Sequence, residues 1–328
     1  MKVCFIGTGS IGARHIQNLK YICNRDSIDV DISVMRSRNT PLRKSLESII
    51  NCQYYSWSDM PDTFDACFIC TPTHLHGETI QNSMEFSQYF FVEKPLFSDA
   101  LSFNLEDLRL PKDHFYYVAC PLRYTQVFDC IQQICNDTKV YSARAISSSY
   151  LPSWRNGVDY RLSYSAHRDQ GGGVNIDLIH EWDYLISLFG FPEETHQFSG
   201  QYSDLEIDSD DLAIYVSRYK DKLVEVHLDY FGKQPKRTLE LYSTNGDYSA
   251  DFLNNQVKRN DTVLFHFDED LNAKYVRELE FFINNVLGNS KTNPNPIEHA
   301  YAVQRFVQST NSLQIGCNCA SCRERRPD

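Results

Sequence analysis

The feature that most constrains the fold of this chain is a glycine-rich turn directly after its first apolar segment. Residues 2–6 suit a buried strand, and they run into the sequence G-T-G-S-I-G at residues 7–12, after which residues 13–19 have helical character. In such a turn the first glycine permits the tight bend, the second lets backbone amides approach a pyrophosphate, and the third lets the helix pack closely on the strand. A helix N-terminus also favours an anion. The sequence therefore predicts a dinucleotide site that is formed by Gly7, Gly9, Ser10, Ile11 and Gly12.

The composition indicates a soluble globular protein. The 328 residues can form about two domains that each bury a core. No apolar run approaches the roughly 18 to 20 residues of a membrane helix, and the chain begins with a strand rather than a signal segment, so we expect a cytoplasmic protein. The net charge of −11 argues against nucleic acid or an anionic membrane as the main partner. We expect a small-molecule partner instead.

The eleven cysteines do not indicate disulfide bonds. Several lie in apolar, strand-like runs, where a reduced thiol behaves as a small hydrophobe, namely Cys4, Cys67, Cys70 and Cys120. The sequence C-N-C-A-S-C at residues 317–322 resembles a metal clip, but no second cysteine pair or histidine lies nearby to complete four ligands. We therefore expect a polar tail there and no metal site.

The first third of the chain alternates strands with helices, which predicts a parallel, doubly wound α/β sheet of the Rossmann type. The predicted strands are Lys2–Ile6, Asp31–Met35, Gln53–Tyr55, Ala66–Cys70, Tyr89–Val92 and Phe115–Ala119. The clearest predicted helices are Ile11–Cys23 and Gly77–Phe86. The pattern changes after Pro121, so we predict a dinucleotide-binding domain at residues 1–121 and a second domain at residues 122–328.

The second part of the chain has an α+β pattern. Residues 126–135 suit a helix, residues 139–148 a strand, and residues 174–189 one long helix that follows an extended loop. From about His196 to Arg259 the chain predicts successive strands with turn signals between them, which is an antiparallel meander. Two further helices are predicted at Leu271–Leu287 and Pro296–Leu313.

The residues after the second strand bear on the choice of cofactor. NAD enzymes of this type usually carry a carboxylate there, which binds the ribose hydroxyls. Here the strand is followed by Arg36, Ser37 and Arg38. Two guanidinium groups can pair with a 2′-phosphate while one stacks on the adenine, so NADP is favoured over NAD. The alternative is that both arginines are solvated and backbone groups hold the ribose.

Two further motifs follow the fourth and fifth strands. The fourth is followed by T-P-T-H-L-H at residues 71–76, and the fifth by E-K-P at residues 93–95. Ligands of open α/β sheets bind at the carboxyl ends of parallel strands. We therefore predict cofactor contacts from Thr71, Pro72, His76, Glu93 and Lys94.

These motifs together resemble the Gfo/Idh/MocA family of glucose-fructose oxidoreductase and inositol dehydrogenase relatives. The resemblance rests on the glycine turn, the T-P-x-x-x-H and Glu-Lys-Pro motifs, and three glycines at 171–173 that open a helix, in order over about the first 190 residues. It implies that Lys94 points at the substrate hydroxyl and the nicotinamide. A lysine ammonium in that place can polarise a carbonyl or help to take an alcohol proton. The resemblance also implies an open-faced, largely antiparallel sheet in the second domain, and we expect a homo-oligomer, either a dimer or a tetramer.

The helix after the three glycines carries the candidate acid/base group. Asp177, His180, Glu181 and Tyr184 are spaced to share one face of a continuous helix. Relatives carry a histidine four residues after the aspartate, whereas here Glu181 stands at that offset and His180 comes one residue earlier. We assign His180 as the general acid/base because its ordinary pKa lies near neutral pH, with Asp177 binding or orienting the substrate. Glu181 stays the alternative.

The loop between the two halves is rich in aromatic and basic residues. Trp154, Tyr160 and Arg161 lie within it, and Arg123 follows the sixth strand. Aromatic faces suit the C–H side of a sugar ring, while arginines suit hydroxyls, carboxylates or phosphates. We predict that these residues and Glu181 bind a sugar or nucleotide-sugar. The alternative is a loop that covers the sheet or supports oligomer contacts.

The sequence thus favours an NAD(P)-dependent oxidoreductase that acts on a secondary alcohol or ketone of a carbohydrate. Two alternatives stay open, a regulatory protein that binds the dinucleotide without turnover and a redox-assisted glycosidase of the same family. Lys94 and His180 argue against the first of these, since a protein without turnover has no need of them.

Overall fold

The glycine turn joins the first strand to the first helix of a parallel sheet in the computed structural model, which describes residues 1–60, 63–155 and 157–309. The strands of this sheet are β1 Lys2–Ile6, β2 Asp31–Met35, β3 Cys52–Tyr54, β4 Ala66–Ile69, β5 Tyr89–Val92 and β6 Phe115–Val118. Their order is β3-β2-β1-β4-β5-β6 and every pairing is parallel. This is the Rossmann order, and it confirms the predicted sheet to within one residue at each strand end.

Helices connect the strands and follow the last of them. They are α1 Ser10–Arg25, α2 Lys44–Glu47, α3 His76–Ser83 and α4 Gln126–Asp137. The buried face of α1 carries Ile16, Leu19 and Ile22, which pack with the first two strands. The carboxyl ends of β1, β4 and β5 therefore lie beside the N-terminus of α1, and this edge of the sheet positions the candidate site.

The second sheet has eight strands and is mostly antiparallel. The strands are β7 Val140–Tyr150, β8 Glu194–Gly200, β9 Leu212–Arg218, β10 Leu223–Asp229, β11 Phe231–Ser243, β12 Gly246–Asp251, β13 Gln256–Arg259 and β14 Thr262–His266. The predicted simple meander is wrong in one respect, because β7 lies between β11 and β10 and pairs in parallel with β10. In a meander β10 and β11 would pair directly, but here β7 lies between them. The run of strands also extends beyond Arg259, its predicted end, to β14.

The long helix predicted at residues 174–189 is two helices, α5 Val174–Asp177 and α6 His180–Phe189. The helix is interrupted at Leu178, whose φ of −98° and ψ of 28° lie outside the helical range. The chain closes with α7 Ala273–Leu287 and α8 Ile297–Ser309, and the end of the predicted last helix lies outside the described residues.

The helix α7 completes the core of the parallel sheet although it comes late in the chain. Its Leu279, Phe282 and Ile283 are buried among side chains of α1 and of the parallel strands. A separate core lies between the second sheet and α4, α5 and α6. The predicted boundary after residue 121 stays a prediction. Among the residues that the structure describes, no helix is both long and apolar enough to cross a membrane.

Candidate active site

The glycine turn has the geometry that each glycine was expected to provide. Gly7 has a φ of +102°, and a Cβ there would lie 2.5 Å from the carbonyl oxygen of Cys70. A Cβ on Gly12 would lie 2.4 Å from the carbonyl oxygen of Gly7. A Cβ on Gly9 would meet no atom within 4 Å, so packing does not explain the glycine at that position. The fold requires Gly7 and Gly12, while Gly9 keeps the approach to the backbone open.

The N-terminus of α1 suits an anionic group. Gly9 is its N-cap residue and provides no side-chain cap, and Ser10 and Ile11 begin the helix. The first amides of a helix have no partner within the helix and carry a partial positive charge. This end of α1 can therefore hold a pyrophosphate without losing any side-chain hydrogen bond.

The arginines after β2 differ in their contacts. Arg36 donates from Nη1 to Gln53 Oε1 at 2.9 Å and from Nη2 to Thr40 Oγ1 at 3.0 Å. Ser37 and Arg38 are exposed. Arg36 is already oriented by neutral partners, so its charge is not cancelled by a carboxylate. The predicted pairing with a 2′-phosphate stays a prediction.

Glu93 and His76 hold the two strand-end loops in place. The buried carboxylate of Glu93 contacts His15 Nε2 at 2.5 Å through Oε1 and accepts the backbone N–H of Lys94 at 3.2 Å through Oε2. Burial alone would raise the pKa of Glu93, but the hydrogen bond and charge of His15 and the charge of Lys94 lower it below its ordinary value. Glu93 is therefore a carboxylate that ties α1 to the end of β5.

His76 contacts the backbone of both loops. Its ring nitrogens lie 3.0 Å from the carbonyl oxygen of Thr71 and 3.1 Å from that of Leu96. Burial lowers the pKa of His76 although both carbonyls favour the charged ring. A neutral ring has one N–H and donates to one of these two carbonyls, whereas a protonated ring donates to both. Thr71 is half-buried and Pro72 is exposed beside it.

Lys94 and Asp177 meet at the centre of the site. The ammonium of Lys94 donates to the backbone carbonyl oxygen of Asp177 at 3.2 Å. The Asp177 carboxylate accepts one hydrogen bond from Tyr164 at 2.7 Å and one from Tyr230 at 2.6 Å. Two phenol groups therefore fix this buried carboxylate, and Lys94 keeps donors for a further partner.

His180 begins α6 and lines the same cavity as Lys94. Burial and the positive charges of Lys94, Arg237 and Lys274 hold the pKa of His180 well below its ordinary value. The imidazole is therefore neutral at pH 7. Within the described part of the chain its ring forms no hydrogen bond, so both nitrogens are available to a ligand.

Glu181 and Tyr184 do not continue the polar face predicted for this helix. Glu181 is fully buried, and its Oε1 lies 2.8 Å from Arg237 Nε. Burial raises the pKa of Glu181, and the charge of Arg237 opposes that rise. Tyr184 is buried in the core and stacks on Phe252 at 5.3 Å between ring centroids. The predicted stripe is wrong because the helix is interrupted between Asp177 and His180.

Comparison with known proteins finds a family model that matches the Rossmann part of the chain. Residues 1–108 match the Gfo/Idh/MocA model, which describes an oxidoreductase family with an NAD-binding Rossmann fold. The first third of the chain is thus similar to the Rossmann part of the Gfo/Idh/MocA family. The resemblance found in the motifs is thereby confirmed, as is the combination of a Rossmann sheet with a mostly antiparallel one.

Full-length relatives include proteins named as dehydrogenases. The myo-inositol 2-dehydrogenase of Thermotoga maritima is 25% identical over 313 residues, which are 87% of this chain and 88% of that protein. An uncharacterized oxidoreductase of Bacillus subtilis is 26% identical over 189 residues, and the match spans 56% of this chain and about half, 52%, of that relative. The structure of levoglucosan dehydrogenase in complex with NADH and L-sorbose has a TM-score of 0.79 at 16% identity, and the alignment covers 94% of this chain and 95% of that one. This last likeness shows the fold.

The loop residues predicted to bind substrate divide into two groups. Trp154 and Tyr160 line a pocket together with Tyr164, the residue that holds Asp177. Arg161 is instead exposed and paired with Asp159 and Glu206. The pocket next to Asp177 is therefore aromatic, and Arg161 belongs to the surface beside it.

Arg123 is engaged with the protein. Its guanidinium makes a two-pronged contact with the Asp183 carboxylate, at 2.8 Å and 2.7 Å, and also donates to the carbonyl oxygen of Pro294. Burial and Asp183 act in opposite directions on its pKa, and the net shift is upward. A role in substrate binding stays a prediction, since the contacts observed are structural.

Three residues near the site were not expected from the sequence. Tyr230 follows β10 and holds Asp177, Arg237 lies in β11 beside Glu181, and Lys274 lies at the start of α7. Each is distant in sequence from the motifs, and a basic residue in an exposed strand or at a helix start carries no local signal of function. Among the described residues, no group of three or more His, Cys, Asp or Glu side chains could hold a metal ion, and residues 317–322 lie outside them.

Proposed function

We propose that this protein is an NAD(P)-dependent dehydrogenase that transfers a hydride between the nicotinamide and a secondary alcohol or ketone of a carbohydrate. The observation that carries the proposal is the shared cavity of Lys94 and His180, beside the fixed carboxylate of Asp177 and at the carboxyl edge of the Rossmann sheet. The family supports the redox chemistry, and relatives named as sugar or inositol dehydrogenases support the substrate class.

The residues of the glycine turn fit a dinucleotide. An added Cβ at Gly9 meets no protein atom, and the N-terminus of α1 has no side-chain cap. Gly7, Gly9, Ser10, Ile11 and Gly12 would hold the pyrophosphate, and the loops after β4 and β5 would flank the nicotinamide. When bound, that ring supplies or accepts the hydride. Arg36 and Arg38 support a finer proposal, a preference for NADP, although the family description names NAD.

Lys94, His180 and Asp177 have different roles in the proposed proton transfer. In the oxidation direction, the ammonium of Lys94 stabilises the developing alkoxide, and the neutral imidazole of His180 accepts the hydroxyl proton. In the reduction direction His180 returns a proton to the carbonyl oxygen, for which the ring must first be protonated against its lowered pKa. The fixed Asp177 carboxylate accepts a hydrogen bond from a neighbouring hydroxyl and orients the ring. Glu181, which is fully buried against Arg237, is given no direct contact with the substrate in this proposal.

The pocket of Trp154, Tyr160 and Tyr164 supports a carbohydrate as the substrate. Aromatic rings pack well against the C–H face of a sugar, and Trp154 is already fixed by donating from Nε1 to Ser149 Oγ at 3.0 Å. Tyr164 lines this pocket and also donates to Asp177, so we place one face of the sugar ring on the aromatic side chains of the pocket.

The test is a screen for hydride transfer with NAD and NADP against sugars, nucleotide-sugars and cyclitols, followed by the nicotinamide absorbance. We expect turnover of at least one carbohydrate, and a loss of about a hundredfold or more in the turnover of Lys94→Ala at saturating cofactor. Lys112→Ala is the matched control, because Lys112 is exposed and remote from the motifs. Full turnover in Lys94→Ala would leave the dinucleotide-binding regulatory protein as the better description, and glycoside cleavage without net absorbance change would favour the redox-assisted glycosidase.

The outer face of the second sheet supports a homo-oligomer. Phe198, Val216, Leu223 and Tyr242 share this face in neighbouring strands and are each 41% to 50% exposed. Such exposed apolar side chains on one face are a common mark of a protein interface. Light scattering on the wild type and on Val216→Lys tests this proposal, since a monomeric wild type would contradict it.

A further inference from the structure

A buried pair of side chains joins α1 to the end of the strand that precedes Lys94. His15 lies on the buried face of α1, and its Nε2 is 2.5 Å from Oε1 of Glu93. Although burial raises the pKa of Glu93, the hydrogen bond and charge of His15 bring it below its ordinary value. A carboxylate only accepts hydrogen bonds, so the Nε2 atom carries the hydrogen and donates it to Glu93.

The ring of His15 is held by aromatic side chains of two other elements. It meets the ring of Phe91 in β5 edge-on, at 5.0 Å between centroids, and that of Tyr275 in α7 at 6.1 Å. Its other nitrogen, Nδ1, is buried and has no hydrogen-bond partner among the described residues. Burying a polar atom without a partner costs free energy, which an apolar residue here would avoid. Packing therefore does not explain this histidine, whereas the contact of Nε2 with Glu93 does.

Glu93 also binds the backbone of the next residue. Its Oε2 accepts the N–H of Lys94 at 3.2 Å, and the ammonium of Lys94 in turn donates to the carbonyl oxygen of Asp177 at 3.2 Å. One carboxylate thus holds both a side chain of α1 and the backbone of the lysine. If the carboxylate turned away, the backbone of Lys94 would lose this hydrogen bond and its ammonium would lose its defined direction.

We propose that His15 is a positioning residue, which holds Glu93 so that the ammonium of Lys94 faces the reacting oxygen. His15 itself does not touch the substrate. The inference rests on the proposed function, since it deepens the role of Lys94 in the same site. Because the N-terminus of α1 also suits the pyrophosphate, a single helix would locate both the cofactor and the lysine.

The test uses replacements of His15 that differ in the atom they present to Glu93. The amide nitrogen of glutamine lies as many bonds from Cβ as Nε2 of histidine, whereas that of asparagine lies as many bonds as the unpartnered Nδ1. Leucine presents no donor. We expect His15→Gln to retain most of the wild-type kcat. His15→Asn and His15→Leu should lower kcat by about tenfold or more at saturating substrate and cofactor, because a misplaced catalytic group reacts more slowly.

Asn18→Leu is the matched control on the same helix. Asn18 is also buried, and this variant removes its two hydrogen bonds with Asn272, which are remote from Lys94 in sequence and contact. We expect kcat to hold in this control. In a Glu93→Gln background, His15→Leu should lower kcat little further, because its effect passes through the Glu93 carboxylate.

A second measurement follows Lys94 without any turnover. Acetic anhydride modifies free amines, and mass spectrometry measures its rate at Lys94. An ammonium released from the Asp177 carbonyl should react faster in His15→Leu, by about threefold or more, as expected for the loss of one hydrogen bond. The rate should be unchanged in His15→Gln and in Asn18→Leu.

The outcomes separate this inference from the proposed function. Equal kcat in His15→Gln and His15→Asn, equal losses in His15→Leu and Asn18→Leu, or an unchanged rate of Lys94 modification in His15→Leu would each overturn the inference. The pair of amide variants decides the question even if His15→Leu does not fold. Faster modification of Lys94 in His15→Leu, with no hydride transfer to any carbohydrate in the wild type, would instead overturn the dehydrogenase and leave the positioning role in place.

Discussion

Lys94 donates from its ammonium to the backbone carbonyl oxygen of Asp177 at 3.2 Å, and this hydrogen bond joins the end of β5 to the short helix α5. The contact fixes the position of Lys94 through a backbone oxygen, which leaves the Asp177 carboxylate to Tyr164 and Tyr230. The Lys94 ammonium and the Asp177 carboxylate can therefore lie in the same site without forming an ion pair. A substrate between them meets a positive charge and a fixed acceptor.

The first prediction separates His180 from Glu181. His180→Ala should lower turnover by about a hundredfold or more at unchanged cofactor affinity, because it removes the proton acceptor. Glu181→Gln should be milder on turnover, since its carboxylate is fully buried against Arg237. Because the pKa of His180 is held well below 6.5, activity should show no His180 ionisation near pH 6.5 and should fall only at lower pH, where the ring becomes charged. Steady-state kinetics from pH 5 to 9 measure this, and the opposite ranking of the variants would move the acid/base role to Glu181.

The sequence predicted those parts of the site that are determined by residues close together in the chain. Gly7 and Gly12 have steric reasons that follow from a strand, a tight turn and a helix, and Lys94 follows a strand whose carboxyl end must face the same edge. The interruption at Leu178 was missed because leucine favours a helix and nothing nearby signals a break. Arg237 reaches Glu181 through the pairing of β11 with β7, which is a long-range register that no local pattern encodes.

The second prediction concerns the glycine turn. Gly9→Ala should lower dinucleotide affinity by tenfold or more, because the methyl group would stand on the approach to the backbone amides. The fold should tolerate it, since Gly9 has a φ of −63° and the added Cβ meets no atom within 4 Å. Calorimetric titration with both cofactors measures the affinity. Gly7→Ala is the contrasting variant, which should unfold at a lower temperature because its φ is +102° and its Cβ would overlap the Cys70 carbonyl. Unchanged affinity in a folded Gly9→Ala would remove the assignment of the cofactor site.

The third prediction addresses the choice between NADP and NAD. Replacing Arg36 and Arg38 together with alanine should weaken NADP by about tenfold or more relative to NAD, because each guanidinium can pair with the 2′-phosphate. Arg36 contacts neutral partners, so its removal leaves no buried charge behind. Arg43→Ala on the same connection is the control, since it lies outside the predicted contacts. Dissociation constants for both cofactors decide the matter, and equal losses would exclude a 2′-phosphate site here.

The last prediction concerns the effect of the Lys274 ammonium on the free energy of unfolding. The folded state lowers the pKa of Lys274 from 10.5 to about 8, so between these values the unfolded chain binds a proton that the folded chain does not. The free energy of unfolding therefore gains from this group as the pH rises through that window, and below about pH 8 the full destabilisation is present. Lys274→Met should accordingly stabilise the ligand-free protein at pH 7, by on the order of 1 kcal/mol, and the gain should shrink towards pH 10. Lys274→Arg keeps the charge and should show no gain. Urea unfolding of both variants and the wild type at pH 7 and pH 10 measures this. A loss of stability in Lys274→Met at pH 7 would contradict the prediction, because it would mean that the ammonium has a stabilising partner in solution.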